Sequence, residues 1–193
     1  GDYILVTGTR LASGGVLAQM TSLNVKAGGR TETKLVMREN KDEVQVIGNF
    51  NSESLFTTLE GGNKQSRLQA CGRGYFVVGI LGVNQEPTNH ALRDISALKA
   101  DLEKWGRKLV LLFPNQEQAG KYHAADFPDL PNTVIYGIDT EDIAQQIVKN
   151  MKLKRKDTLP IFIIADTFNR VVFVSQGYTI GLGEQLMKTV KGL

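Results

Sequence analysis

The residues best able to do chemistry lie in one short segment, where Glu86, Thr88, Asn89 and His90 surround a proline. A carboxylate at the start of a helix can accept a ligand's donor or act as a general base. It can equally do no more than stabilise the positive end of the helix dipole. We expect Thr88 or Asn89 to be the N-cap of this helix, and His90 to lie exposed in its first turn. The segment is therefore a candidate site, with helix stabilisation as the alternative.

The other candidate is Cys71, the only cysteine in the 193 residues, so an intrachain disulfide is excluded. It precedes an apolar strand, where an ordinary, partly buried thiol is expected. Arg73 stands close in sequence and could lower the thiol pKa, which keeps a reactive thiol open as the alternative. His90 and His123 are the only histidines and do not have the spacing of metal ligands. No metal or cofactor is predicted.

Composition excludes several classes of protein. The net charge is +3, with acidic and basic residues interspersed, which is too weak a bias to indicate nucleic-acid binding. No apolar run approaches the roughly 20 residues of a membrane span, and no signal peptide is visible. A basic run at 149–156 lies at the end of a predicted helix and suits the negative end of its dipole; binding of an anion or of an acidic partner is the alternative. The apolar fraction of 41% is sufficient for a buried core.

From residue 74 onward, predicted strands and helices alternate, which indicates an α/β domain with a central mixed sheet flanked by helices. The predicted strands are 75–81, 108–113, 133–138, 161–165 and 171–174. The predicted helices are 89–106, 116–127, one that starts at 140, and one that follows the glycine loop at 177–183 and ends at 189–190.

The first 47 residues are predicted to be all-β. Strands are expected at 3–6, 16–25, 31–38 and 44–47, separated by glycine- and asparagine-rich turns. Four short strands bury little surface by themselves. We therefore predict two domains, a sandwich-like domain at 1–47 that either lacks strands upstream or packs on its neighbour, and a second domain at 48–193. Because Gly1 leads directly into a strand, we expect the chain to be a piece of a longer protein.

The order of elements from Pro160 to Val190 is proline, strand, turn, strand, glycine loop and helix. This order resembles the second half of a thioredoxin fold, in particular its bacterial disulfide-reductase and peroxiredoxin-like branch. The resemblance implies a Cys-x-x-Cys motif where the first strand meets the first helix, because the helix N-terminus stabilises a thiolate there. Aligning Pro87 with the proline common in such motifs places Glu86 and Asn89 at the two cysteine positions. Neither residue can exchange disulfides, and monothiol glutathione chemistry is also excluded.

The resemblance further implies a cis peptide bond between Leu159 and Pro160, facing the motif across a cleft. The backbone groups of Leu159 would then be free to pair with an extended peptide. The candidate ligand cleft is Glu86, Pro87, Thr88, Asn89, Leu159 and Pro160.

The motifs Gly-Asp-Tyr-x-Leu, Val-Lys-Ala-Gly-Gly and Thr-x-Leu-Val-Met in the first 47 residues resemble the back half of a prealbumin-like or carboxypeptidase-regulatory-like sandwich. A sandwich followed by a thioredoxin-like domain without its cysteine pair is similar to the tail of transglutaminase-like proteins of Bacteroidetes. The resemblance implies a non-catalytic accessory domain of a larger periplasmic or cell-surface protein, whose partners are its own upstream domains. Two alternatives stay open. One is a thiol-disulfide oxidoreductase or peroxiredoxin-like enzyme using Cys71. The other is a module that binds an extended peptide or a glycan in the cleft.

Overall fold

The structure, a computed structural model, describes residues 2–10, 16–29, 45–71 and 74–193 and divides the chain into two compact units, Gly1–Glu43 and Val44–Leu193. The first unit contains an antiparallel pair of strands, β1 (Asp2–Arg10) and β2 (Val16–Asn24), paired along their whole length. The predicted strand at 31–38 lies outside the described residues. The sandwich assignment therefore stays a prediction.

The predicted strand at Val44, Val46 and Ile47 is wrong over its described part. Residues 45–47 form no strand, and the side chains of Val46 and Ile47 are 54% and 51% exposed. Ile47 makes one strand-like hydrogen bond, from its N–H to the carbonyl of Val171 at 2.8 Å. Within the second unit, the first described strand is β3 (Gly48–Asn49), which pairs with Arg170 and Val171.

The second unit is built on one mixed sheet. Besides β3, its described strands are β4 (Leu55–Thr58), β5 (Gln65–Arg67), β6 (Tyr75–Ile80), β7 (Leu109–Phe113), β8 (Val134–Ile138), β9 (Ile161–Asp166) and β10 (Arg170–Gln176). These strands follow the order β3-β10-β9-β6-β7-β8-β4-β5 across the sheet. Strands β6, β7 and β8 are parallel, and β9 lies antiparallel beside β6. The helices are α1 (Glu86–Ala97), α2 (Lys99–Trp105), α3 (Gln116–Gly120), α4 (Ile143–Asn150) and α5 (Leu182–Lys191).

Two hydrophobic clusters lie on the two faces of this sheet. Successive side chains of a strand point to opposite faces, and accordingly Val77 belongs to one cluster while Phe76 and Val78 belong to the other. Helices α1, α2 and α5 cover the first face, and α4 covers the second. Strands β7 and β9 are buried along their whole length. The predicted α/β class, with a mixed sheet flanked by helices, is confirmed.

Three predicted helices have different bounds in the structure. The helix predicted at 89–106 begins at Glu86 and is interrupted at Leu98, although Gly106 ends it as expected with φ +70°. The helix predicted at 116–127 stops at Gly120, and only a short 3-10 turn at Ala124–Asp126 follows. The helix predicted from 140 begins at Ile143 because the Asp139 carboxylate accepts the first helical N–H groups.

Candidate functional site

Strand register places the two halves of the predicted cleft at one edge of the sheet. Ile80, the last residue of β6, pairs with Ile161, the first residue of β9. The loop that leaves β6 is therefore adjacent to Leu159 and Pro160. The Leu159–Pro160 peptide bond is cis, as predicted.

Helix α1 begins one turn earlier than expected, with Gln85 as its N-cap. The prediction that Thr88 or Asn89 caps the helix is therefore wrong. Pro87 explains the earlier start, because a proline in the first turn needs no acceptor for an N–H group. Thr88 is instead buried, at 2% exposure, and its hydroxyl accepts a hydrogen bond from the Gly82 N–H at 3.2 Å. This bond fixes the loop between β6 and α1.

Glu86 is the first residue of α1, and its side chain is 86% exposed. Its Oε1 lies 3.4 Å from Nε2 of His90, one turn along the helix. His90 is more covered than expected because its ring stacks on Tyr178, with 5.2 Å between the ring centres. Tyr178 lies in the loop after β10 and carries no sequence signal for this contact.

The six residues of the predicted cleft do not line one cavity. Thr88 and Asn89 line a cavity of about 230 Å³ between α1 and the segment after α3. Leu159 lines a different cavity of about 530 Å³, together with Gly82 and Gln85. Glu86, Pro87 and Pro160 line neither of these two cavities.

Asp139 borders the larger cavity and was not singled out by sequence reasoning. Its carboxylate accepts the N–H groups of Ile143 at 2.7 Å and Ala144 at 2.9 Å, and thereby caps α4. Burial raises the pKa of this carboxyl, and the backbone hydrogen bonds offset only part of that effect. Nearby, Lys156 from the predicted basic run pairs with Asp142 at 3.0 Å. An aspartate directly after a strand and before a helix was the signal that could have identified the cap.

Cys71 lies before β6 in a 3-10 turn (Leu68–Cys71) and is 7% exposed. Burial raises the pKa of its thiol to about 11, although a hydrogen bond with Ser66 and the charge of Lys108 act in the opposite direction. The thiolate is therefore scarce at neutral pH. Strand β6 spans six residues, about 17 Å, and separates Cys71 from the start of α1.

Across the described ranges, no group of three or more His, Cys, Asp or Glu side chains is arranged to hold a metal ion. Within the same ranges, no helix combines the length and the apolar character needed to cross a membrane.

Comparison with known proteins identifies the fold. No protein-family model matches the sequence. No curated protein matches it either. Among solved structures, BsSco, a member of the Sco family of cytochrome c oxidase assembly proteins with a disulfide switch, is 17% identical with a TM-score of 0.55, over 75% of this chain and 93% of its own. The bacterioferritin comigratory protein of Xanthomonas campestris, described for its alkyl peroxide reduction activity, is 13% identical with a TM-score of 0.55. The match covers 72% of this chain and 91% of that protein's chain.

A third similar structure is an uncharacterized thioredoxin-like protein from Porphyromonas gingivalis, 17% identical with a TM-score of 0.52, over 74% of this chain and 92% of its own. The second unit therefore has a thioredoxin-like fold, and its structural neighbours include proteins of thiol-redox chemistry. The predicted resemblance is confirmed at the level of the fold.

Proposed function

We propose that this chain is a non-catalytic binding module built on a thioredoxin-like fold. The proposal is carried by one observation: the start of α1, beside the cis Leu159–Pro160 bond, holds Glu86 and Asn89 in place of thiols. The single cysteine lies at the opposite end of β6 and is buried, with a raised thiol pKa. A thiol that is rarely ionised and not accessible is a poor nucleophile. These features favour binding over thiol-disulfide exchange by Cys71.

An extended peptide is the occupant that best fits the Leu159–Pro160 side of the predicted cleft. Neither the N–H nor the C=O of Leu159 bonds to another residue in the described part of the chain. Unpaired backbone groups beside a cavity can pair with the backbone of an incoming strand. A glycan, whose hydroxyl groups could bond to the same atoms, is the other candidate.

A wider role also belongs to this proposal. We propose that the module is an accessory part of a larger protein of the periplasm or cell surface, whose activity, transglutaminase-like by resemblance, resides in upstream domains. This part rests on the sequence resemblance alone.

A reductase assay tests the absence of redox catalysis. The wild-type protein and Cys71→Ser are expected to reduce insulin disulfides equally slowly, at the rate of the uncatalysed reaction. The double variant Glu86→Cys/Asn89→Cys is expected to form a disulfide and to gain turnover, because a thiol at a helix N-terminus has a lowered pKa. Wild-type turnover that Cys71→Ser abolishes would refute the proposal.

A peptide array and a glycan array, each repeated with Pro160→Ala, test the binding site. We expect the wild type to retain extended peptides and the variant to retain fewer of them. If Pro160→Ala leaves binding unchanged, this cleft is excluded as the binding site. If the protein binds only to the glycan array, the ligand is a glycan and not a peptide.

A further inference from the structure

The cavity lined by Thr88 and Asn89 has both apolar and polar lining residues. Leu81, Val83 and Leu92 supply aliphatic surface, and the rings of Tyr122 and Phe127, parallel to within 3° and 6.1 Å apart, supply aromatic surface. Its volume of about 230 Å³ lies just below the range of about 300–1,000 Å³ that is typical of drug-sized ligands. The space is sufficient for a single ring with one substituent.

Two polar side chains of this cavity have unused hydrogen-bonding capacity. Thr88 is 2% exposed, and its hydroxyl accepts one bond from Gly82 N–H, but its own proton finds no acceptor among the described residues. The side-chain amide of Asn89 likewise bonds to no residue in the described part of the chain. Asn89 is half-buried, and the Thr88 hydroxyl can donate while it still accepts from Gly82, so a ligand that supplies an acceptor can bond to both groups without displacing an existing hydrogen bond.

The charges at the rim favour an anion. Arg93 is exposed and has no carboxylate within ion-pair distance in the described ranges. Lys121 pairs with Glu117 at 2.6 Å, and Asp126 is the one acidic residue among the described residues that line the cavity. Tyr122 stays uncharged, because burial and the hydrogen bond to Tyr136 raise its pKa. Arg93 is therefore the cation most available to a ligand.

We propose that this cavity binds a small organic carboxylate with an aromatic body. The carboxylate accepts hydrogen bonds from Thr88 and Asn89 and pairs with Arg93, while the ring packs against Leu92 and Tyr122. Charge-assisted hydrogen bonds give the anion its preference over a neutral molecule of the same shape. This site is separate from the cavity that Leu159 lines, so it does not depend on the peptide-binding role proposed above.

Titration of the full chain with benzoate, followed by ¹H–¹⁵N NMR, tests the proposal. We expect saturable shifts of the backbone signals of Val83 and Asn84 and of the Asn89 side-chain amide. Benzamide has the same shape without the charge and is expected to bind about tenfold more weakly, the effect of losing one charge-assisted hydrogen bond.

Matched variants separate a specific site from general attraction to a basic protein. Arg93→Gln and Asn89→Asp are each expected to weaken benzoate binding about tenfold. Lys188→Gln removes the same charge from an exposed position on α5 and is expected to bind as the wild type does. The proposal is overturned if benzamide binds as tightly as benzoate, if Arg93→Gln has no effect, or if no saturable shift occurs. The spectra also report whether each variant is folded, so loss of binding cannot be confused with unfolding.

Discussion

At the scale of single residues, burial decides what Cys71 can do. The shift of its thiol pKa from 9.0 to about 11 lowers the thiolate fraction about 100-fold at neutral pH. We expect iodoacetamide to label Cys71 at least about 100-fold more slowly in the native protein than in urea-unfolded protein at the same pH. Mass spectrometry of timed samples measures both rates.

Ionisation of the same thiol makes the free energy of unfolding depend on pH in the alkaline range. The folded state holds the proton more tightly than the unfolded state, so ionisation above pH 9 favours unfolding until the folded thiol also ionises near pH 11. Cys71→Ala should therefore remove part of the loss of unfolding free energy over this range.

In the labelling experiment, equal rates in native and unfolded protein would show that the thiol is accessible, contrary to this account.

The candidate site shows which residue-scale features sequence can predict. Glu86 could be placed near a helix start because a proline follows it and an apolar strand precedes it, although the helix was predicted to begin only at residue 89. The contact of His90 with Tyr178 could not be predicted, because it depends on how the loop after β10 packs on α1. The burial of Thr88 was missed for the same reason: its partner, Gly82, lies in a loop whose path is set by the strands.

At the scale of elements, Gly79 shows how tightly β6 is packed. A Cβ atom at this position would lie 2.5 Å from the Phe162 ring and 2.9 Å from Leu111. We expect Gly79→Ala to lower the unfolding free energy by about 1–3 kcal/mol, the usual cost of overpacking a core. Urea denaturation followed by circular dichroism gives the value.

Gly120 provides the matched control for this substitution. A Cβ atom there meets nothing within 4 Å, and the residue ends α3. Gly120→Ala should leave stability unchanged or raise it slightly. If both variants unfold at the same urea concentration as the wild type, Gly79 is not as closely packed as described.

Strands were predicted better than helix bounds for a physical reason. The apolar runs of β7 and β9 are continuous because both faces are buried, and such runs are visible in sequence. Helix ends depend on which side chain takes the free N–H groups. For α4 that side chain is Asp139, which precedes the helix by four residues. One helix was predicted at 116–127, but after α3 has ended Tyr122 is held by packing with Phe113 and Tyr136, and Phe127 stacks on Tyr122.

At the scale of the whole molecule, the second unit contains its own core. Both hydrophobic clusters draw their buried members from residues 50–190. We expect a fragment of residues 44–193 to unfold cooperatively at nearly the same urea concentration as the full chain. Tryptophan fluorescence of Trp105 reports the transition in both proteins. A fragment that unfolds gradually, or that exposes Trp105 without denaturant, would show that this core is incomplete.

The fold of this unit was predictable because the order of its elements is distinctive. The proline before β9, the β9–β10 hairpin and α5 all occur where the resemblance placed them. The function was harder to predict from the sequence than the fold, since a fold can keep its geometry after its reactive groups have been replaced. The arrangement of Thr88, Asn89 and Arg93 around one cavity depends on how α1 packs. No local sequence pattern predicts this arrangement.

The outermost strands of the mixed sheet have a consequence for handling the protein at high concentration. β3 has two residues and β5 has three, and the described loop after α4 bonds to Gln176 at the end of β10. β3 pairs only with Arg170 and Val171 of β10, so among the described strands most of the outer edge of β10 is open to a strand of another molecule. We therefore expect concentrated samples to associate through this edge, and light scattering before the proposed titrations measures this association.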